Sequence, residues 1–399
     1  MLDYHAALAT LLDGLPTAKG CESLALAQAA GRRLARDVVA CFDAPQFDNS
    51  AMDGYAICDA TGKATRFHVV SRIAAGDGAQ AALKDGEAAR IFTGAPLPAG
   101  TTAVVAQEDT TRDADTLLLN QPARAGQHMR LQGEEYAAGA TLLTAGTLLD
   151  PAAIALLASQ GHAVLPVLPR LKVAVFSSGN ELIEPGEELT AGKIFDANRY
   201  QLLAWLARFD VEIIDGGILP DDAAITRAAL ARASEQCDVI LSSGGVSVGE
   251  EDHVRAALET IGSITAWKLA IKPGKPFAWG HAGAAHVFML PGNPVATFVT
   301  FHQLVAPALR RLSGDDQPMP VTIKVRAGFS KSRIEPRREF QRARLRQEGD
   351  GYIADLVKGQ GSAMLSACAA ADVLVEIPPS SAVVMGDTLL AYPLKKGWV

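Results

Sequence analysis

Between residues 172 and 312 the chain alternates short apolar runs with helical patterns, and this switch of period constrains the fold more than any other feature. Strand candidates are residues 172–176, 211–214, 238–241, 264–269 and 286–290, and helical patterns cover 199–209, 222–234 and 294–312. Runs that are apolar at almost every position read as strands buried on both faces, which implies a largely parallel sheet covered by helices. Ligands of such sheets bind beyond the carboxyl ends of the strands, so the polar turns there are where chemistry is expected.

The turn at 241–253 (LSSGGVSVGEEDH) runs from an apolar strand through Ser243, Gly244 and Gly245 into acids. Its glycines leave backbone N–H groups open to an anion, and Asp252, with Glu250 and Glu251, offers oxygens to a hard cation. A plain strand-to-helix turn explains the spacing equally well, because neither GxGxxG nor GxxxxGK[ST] is present. Glu181, in the turn 177–186, and Asp221, after the next strand, fall at the same end of the sheet as Asp252. Three carboxylates at separate strand ends are harder to explain as helix caps than one. Asn198 reads as the cap of the helix that follows it. Lys268, Lys272 and Lys275 stand beside two prolines as a rigid cationic hook. In a chain of net charge -7 such a local excess points to a phosphate or oxyanion, with solvated surface lysines as the alternative. Pro291 and Pro294, in LPGNP, fix a turn that opens an apolar helix.

Around this region the texture differs. Residues 3–13 and 23–34 read as helices, and from 37 to about 139 short β-like runs (66–70, 89–92, 103–106, 116–119) are separated by glycine, proline and aspartate turns. Within that β-rich stretch, FDNSAMDGYA at 47–56 crowds polar groups around a glycine. Asp53 there is a candidate cation ligand or base, and the alternative is a capped turn. Thr93 lies at a strand end in the turn 92–100. A helix begins at Asp150 and Pro151 and stops at Gly161, and beyond residue 320 the chain returns to strands without helices, a separate small all-β domain. Arg342, Arg344 and Arg346 alternate with Ala343 and Leu345, as on a half-exposed strand whose arginines form a solvated face.

Length and balance set outer limits. A chain of 399 residues exceeds one ordinary core, and its acidic balance argues against nucleic-acid or anionic-membrane binding. The apolar segment 154–169 is broken by Ser159, Gln160, Gly161 and His162, so no membrane span is expected. Five cysteines, odd in number and never in a CxxC pair, exclude a disulfide framework and a thiolate zinc site; reduced, buried thiols in a cytoplasmic protein are expected. No HExxH or GxSxG is present, which argues against a zinc protease or a serine hydrolase.

The phrases FDNSAMDGYA, FTGAPLPAG, SSGNELIEPG, GKIFDANRYQL, SSGGVSVGEEDH, KPGKPFAWG and LPGNPVATFVTF, in this order, resemble the molybdopterin molybdenumtransferase family, which includes bacterial MoeA and the E domain of gephyrin. The resemblance covers essentially the whole chain. It implies a multidomain α/β plus β architecture: a three-layer α/β/α adenylyltransferase-like domain with a mostly parallel sheet (1–11 with 171–320), a helical linking domain (12–38 with 141–170), a β-rich domain (39–140) and a C-terminal small β-barrel (321–399). It also implies an elongated homodimer in the cytoplasm. The implied reaction is a transferase step of molybdenum cofactor biosynthesis, in which adenylylated molybdopterin and molybdate react with Mg²⁺ and release AMP.

Carried over by residue, the implied catalytic and metal positions are Asp53, Thr93, Glu181, Asp221 and Asp252. The implied substrate contacts are Lys268, Lys272, Pro291 and Pro294, to which the residue reading adds Ser243, Gly244, Gly245 and Lys275. Asp53 and Thr93 are expected to approach from the partner subunit. A molybdopterin adenylyltransferase and molybdoenzyme maturation proteins are the expected partners. Asn180 and Glu135 stand where relatives often carry Asp, which leaves the cation ligands open. A non-catalytic cofactor carrier or scaffold of the same fold, the adenylyltransferase step itself, and tungstate in place of molybdate are the alternatives.

Overall fold

The computed structural model describes residues 1–78, 80–246 and 253–394, which divide into two compact units. One comprises residues 24–30 and 36–165; the other comprises 1–23, 31–35 and the chain from 166 onward.

Helix α1 (Tyr4–Asp13) belongs to the larger unit. The Asp3 carboxylate accepts from the N–H groups of His5 and Ala6, and Tyr4, Ala7, Leu8 and Leu11 form the buried stripe. The smaller unit carries β1 (Gly54–Ile57), β2 (Arg66–Ile73), β3 (Glu87–Ile91), β4 (Ala103–Ala106), β5 (Thr110–Asp113) and β6 (Thr116–Leu119), in the sheet order β4-β1-β3-β2-β6-β5. Strand β1 is antiparallel to both β3 and β4 and wholly buried. A Cβ at Gly54 would lie 1.9 Å from the Val105 carbonyl oxygen, so glycine is required where these strands meet. Helix α2 (Pro151–Ser159) begins as expected, with the Asp150 carboxylate accepting from Ala153 N–H at 2.8 Å.

The helix expected over 23–34 is not formed. A strand, Glu22–Ala25, and one 3₁₀ turn, Leu26–Gln28, stand there instead. Tertiary contacts override the helical pattern. Leu26 N–H donates to the Ala163 carbonyl, and Arg32, only 4% exposed, is drawn out of any helical face by Glu22, Asp210 and the Leu168 carbonyl.

The larger unit continues with β7 (Leu171–Ser178), α3 (Asn198–Leu206), β8 (Val211–Leu219), α4 (Ala223–Gln236), β9 (Val239–Ser243), α5 (His253–Ile261), β10 (Gly262–Lys268), β11 (Ile271–Lys272), β12 (Pro276–Ala282), β13 (Ala285–Leu290), α6 (Pro294–Thr300) and α7 (Ala306–Leu312). A π-helical turn, Phe301–Val305, joins α6 to α7. The main sheet has the order β8-β7-β9-β13-β12-β10, with the first four strands parallel and β12 antiparallel to both its neighbours, β13 and β10. Its two faces follow the period of the strands. Val173, Val175, Val239, Leu241 and Phe288 pack against α1, α3 and the α6–α7 run, while Ala174, Phe176, Ile240, Val287 and Met289 pack against α4 and α5. The result is the expected three-layer α/β/α domain.

Strands β14 (Ile323–Ala327), β15 (Arg338–Glu348), β16 (Gly351–Leu356), β17 (Val373–Ile377) and β18 (Thr388–Pro393) close into a five-stranded barrel through the pairing of β15 with β17. A short helix, α8 (Leu365–Ala370), lies between β16 and β17. Strand β11 adds to the barrel in parallel, with Ile271 opposite Arg338 and Lys272 opposite Glu339. Phe340, Leu374, Tyr392 and Leu394 of the barrel region join the same apolar cluster as α1 and the main sheet. Arg342 is not on a solvated face. It is fully buried, because Gln360 brackets its backbone and the Gly359 and Gly361 carbonyls accept from its guanidinium. Arg344 and Arg346 are exposed as expected. Cys237 and Cys368 are buried, but Cys21 and Cys41 are exposed, because both lie outside the apolar strands and helices. Among the described residues no helix is long and apolar enough to cross a membrane.

The α6–α7 run contains a pH-sensitive element. The His302 ring lies edge-on to Trp205 at 4.1 Å and against Phe298 at 4.8 Å, with Nε2 buried and without a hydrogen-bond partner among the described residues. Burial, with the charges of Arg208 and Arg310, pushes its pKa from 6.5 down to about 3. Between those values protons bind the unfolded chain preferentially, so His302 removes stability as pH falls below 6.5. His286, lowered to about 4 by burial and then by His281, adds in the same direction. His302→Phe is therefore expected to flatten the loss of urea resistance between pH 6.5 and 4. Identical slopes in wild type and variant would refute this.

Candidate functional site

Strands β7, β8, β9 and β13 end at one edge of the sheet, and their turns enclose a cleft of about 450 Å³. Ser178, Gly179 and Glu181 contribute after β7, Pro220 and Asp221 after β8, Gly244, Gly245 and Val246 after β9, and Pro291, Gly292 and Asn293 after β13. This is where a parallel sheet binds ligands. Gly244 adopts φ +92°, and a Cβ there would lie 2.8 Å from Ser178 Oγ, so the glycine lets β9's turn press against the end of β7. The two glycines and Ser178 thus form one polar wall of the cleft.

Glu181 and Asp221 face the same cleft, as their places at strand ends predict. Asp221 is fixed by a reciprocal pair: Asn180 N–H donates to its Oδ2 at 3.0 Å, and Asp221 N–H donates to Asn180 Oδ1 at 3.1 Å. The side-chain acceptor that an Asp would offer at position 180 is thus supplied by the Asn180 amide oxygen. Two carboxylates beside a serine hydroxyl are hard oxygen donors of the kind a divalent cation takes, so the donor set fits such an ion. Among the described residues no cluster of three or more His, Cys, Asp or Glu forms a ready-made metal cage. Asp252, with Glu250 and Glu251, lies outside the described residues.

Asn198 is not the helix cap. It is the first residue of α3, and its amide donates to Ser243 Oγ at 2.6 Å and to the Gly292 carbonyl at 2.8 Å, so it ties two of the cleft's turns together. Ser243 is 2% exposed and spends its hydroxyl on this contact. The α3 N-terminus is instead served by Asp196, whose Oδ1 accepts from Arg199 N–H and from Ser177 Oγ. Arg199, which does not line the cleft, is a supporting residue that motif reading passed over. Buried at 3% exposure, it binds Asp196, Asp215 and Glu184 together, and so fastens the segment that follows Glu181 to the sheet. Its sequence signal is its place in GKIFDANRYQL, where an arginine in the first turn of a helix follows an aspartate by three residues.

The lysine hook separates into different environments. Lys268 and Lys275 are exposed, and Lys268 is in register with Pro276, which lines the cleft. Lys272 turns to the barrel, with Nζ 2.9 Å from Glu335 and 3.2 Å from Glu339. Pro291 lines the cleft, and Pro294 is the first residue of α6, behind the Asn293 cap. In the other unit, Asp53 and Thr93 meet: Thr93 donates both its N–H and its hydroxyl to Asp53 Oδ1 at 2.8 Å. These bonds, the backbone one first, hold the Asp53 carboxyl below the usual carboxylate range and keep it ionised.

Fold and cleft together define a multidomain α/β protein with a barrel appended and a polar site at the carboxyl edge of its main sheet. Family models match three successive segments: the MoeA N-terminal region (domain I and II) over residues 2–161, a probable molybdopterin binding domain over 174–311, and the MoeA C-terminal region (domain IV) over 324–394. A molybdopterin molybdenumtransferase of Haemophilus influenzae is 39% identical over 371 residues, covering 92% of each chain. A molybdopterin molybdenumtransferase 2 of Mycobacterium tuberculosis is 36% identical, covering 92% of this chain and 93% of the other. The crystal structure of a molybdopterin biosynthesis moeA protein from Pyrococcus horikoshii OT3 superposes with a TM-score of 0.85 at 30% identity, over 99% of this chain and all of that one. The chain belongs to the molybdopterin molybdenumtransferase family.

Proposed function

We propose that this chain inserts molybdenum from molybdate into adenylylated molybdopterin, with release of AMP and with a divalent cation, Mg²⁺, as cofactor. The observation that carries the reading is the cleft itself: Glu181, Asp221 and the glycine turn at 244–245 line one cleft at the strand ends. The Gly244 N–H is taken by the Leu290 carbonyl at 3.1 Å, so it is not free for an anion; what the turn offers a phosphate is close approach to a backbone without side chains, and Lys268 and Lys275 supply positive charge for the anionic pterin and molybdate. Glu181 and Asp221, with Asp252, hold the cation, which when bound neutralises charge on the phosphoanhydride. Asn180 fixes the orientation of Asp221, and Asn198 fixes the spacing of the β9 and β13 turns.

The reading includes a homodimer in the cytoplasm, with Asp53 and Thr93 of the partner subunit completing the site. Its domain limits are those of the sequence: 12–38 with 141–170, 39–140, 1–11 with 171–320, and 321–399. A molybdopterin adenylyltransferase supplies the substrate, and molybdoenzyme maturation proteins receive the product.

The test is single-turnover release of AMP from adenylylated molybdopterin. A burst is expected only with both molybdate and Mg²⁺, and a parallel reaction with tungstate ranks the two oxyanions. AMP release at the same rate without an oxyanion would overturn the mechanism. Tight binding without any release would leave the chain a carrier.

A further inference from the structure

The barrel supplies a carboxylate to the lysine hook. Glu339 is 1% exposed, and its two oxygens are in different situations. Oε2 lies 2.8 Å from Lys331 Nζ and accepts from Gln341 Nε2 at 3.2 Å. Oε1 has no aligned hydrogen bond among the described residues and lies 3.2 Å from Lys272 Nζ. A buried carboxylate oxygen without a partner is costly, and a cation beside it relieves that cost, so Lys272 is drawn toward this point. The backbone enforces the same meeting. Strand β11 runs parallel to β15 with Lys272 opposite Glu339, and Arg338 N–H donates to the Ala270 carbonyl at 2.8 Å.

Glu335 completes the surroundings. Its carboxylate sits 2.9 Å from Lys272 Nζ, 3.6 Å from Arg333 and 3.8 Å from Arg337. Lys272, Lys331, Arg333 and Arg337 against Glu335 and Glu339 leave the cluster with a formal excess of positive charge, so it still attracts an anion. An ammonium has three donor directions. One is taken by Glu335 at 2.9 Å, while Glu339 holds the ammonium by charge at 3.2 Å, which leaves donor capacity for a ligand.

We propose that Glu339 is a positioning residue for Lys272: a barrel carboxylate that aims the lysine of the α/β/α domain at the incoming oxyanion. The proposal rests on the reading of Lys272 as an oxyanion contact, and its experiment separates the two. The measurements are the molybdate concentration for half-maximal AMP release and the maximal rate, with the melting temperature followed in parallel. Glu339→Gln removes the charge and keeps the shape. It is expected to raise the half-saturating molybdate concentration about tenfold while the maximal rate stays within about twofold. Glu339→Asp keeps the charge but draws the carboxylate back by one methylene, so a smaller shift of the same sign is expected. It decides the question where Glu339→Gln does not fold.

In a Lys272→Met background neither Glu339 change is expected to move the molybdate dependence further, whereas a purely structural role would act in both backgrounds. If Lys272→Met shifts the dependence and the Glu339 variants do not, or if they shift it equally in both backgrounds, the proposal is overturned and the function stands. If Lys272→Met itself leaves the dependence unchanged, the reading of Lys272 falls and takes the proposal with it.

Discussion

Arg199→Met is expected to destabilise the larger unit by about 3–5 kcal/mol, the cost of leaving a buried charge without its partner. The site of that cost is Asp196, whose side chain is fully buried and meets the guanidinium at 3.1 Å. Without Arg199 it keeps the Ser177 hydroxyl and the backbone N–H at position 199, both neutral donors. Asp215, at 2.5 Å, and Glu184 are partly exposed and rehydrate when the arginine is removed, so they contribute less. Burial works against the Arg199 charge, but hydrogen bonds to Asp215 and Asp196 and the Glu184 charge outweigh it and hold the guanidinium protonated. Urea unfolding at pH 7 measures the effect, and Arg199→Met with Asp196→Asn is expected to recover part of the loss. A loss below about 1 kcal/mol would place this cluster with ordinary surface pairs and sink the argument.

The second large effect is on catalysis. Glu181→Gln and Asp221→Asn are each expected to lower single-turnover AMP release by about a hundredfold or more, the scale of removing one well-placed charge-stabilising group. Both keep the shape of the side chain. Glu181 is exposed, so its substitution is expected to leave stability within about 0.5 kcal/mol of wild type. Asp221→Asn retains an oxygen for Asn180 N–H, which separates loss of charge from loss of the turn. Raising Mg²⁺ is expected to recover part of the rate in either variant if the carboxylates bind the cation. Rates within twofold of wild type in both would remove them from the catalytic site.

The layered domain was legible because its strands are apolar at nearly every position, and a two-faced burial leaves little else for such runs to be. Glu181 and Asp221 were legible for a related reason: once a parallel sheet is assigned, the residues after its strands share one edge. Strand β12 escaped notice because its sequence opens inside the lysine-proline turn, and its antiparallel pairing depends on β10 and β13, not on its own pattern. The segment 23–34 and Arg342 differ from expectation for one reason. Their partners, Asp210 for Arg32 and the 359–361 loop for Arg342, are supplied by distant or later chain that local periodicity does not report. Asn198 satisfies the rule for a cap, but its amide is used across the cleft, and only the assembled turns reveal that choice.

The core shared between barrel and sheet alters what the C-terminal region is in practice. Tyr4, near the start of the chain, donates its hydroxyl to Gln303 and lies edge-on to Phe340 of β15 at 5.3 Å, while β11 lends the barrel a backbone edge. Cutting the chain before β14 would therefore not release a detachable module. It would strip one wall from the hydrophobic interior of the α/β/α domain and bare the edge of β11, so the truncated remainder would be prone to aggregation through that opening.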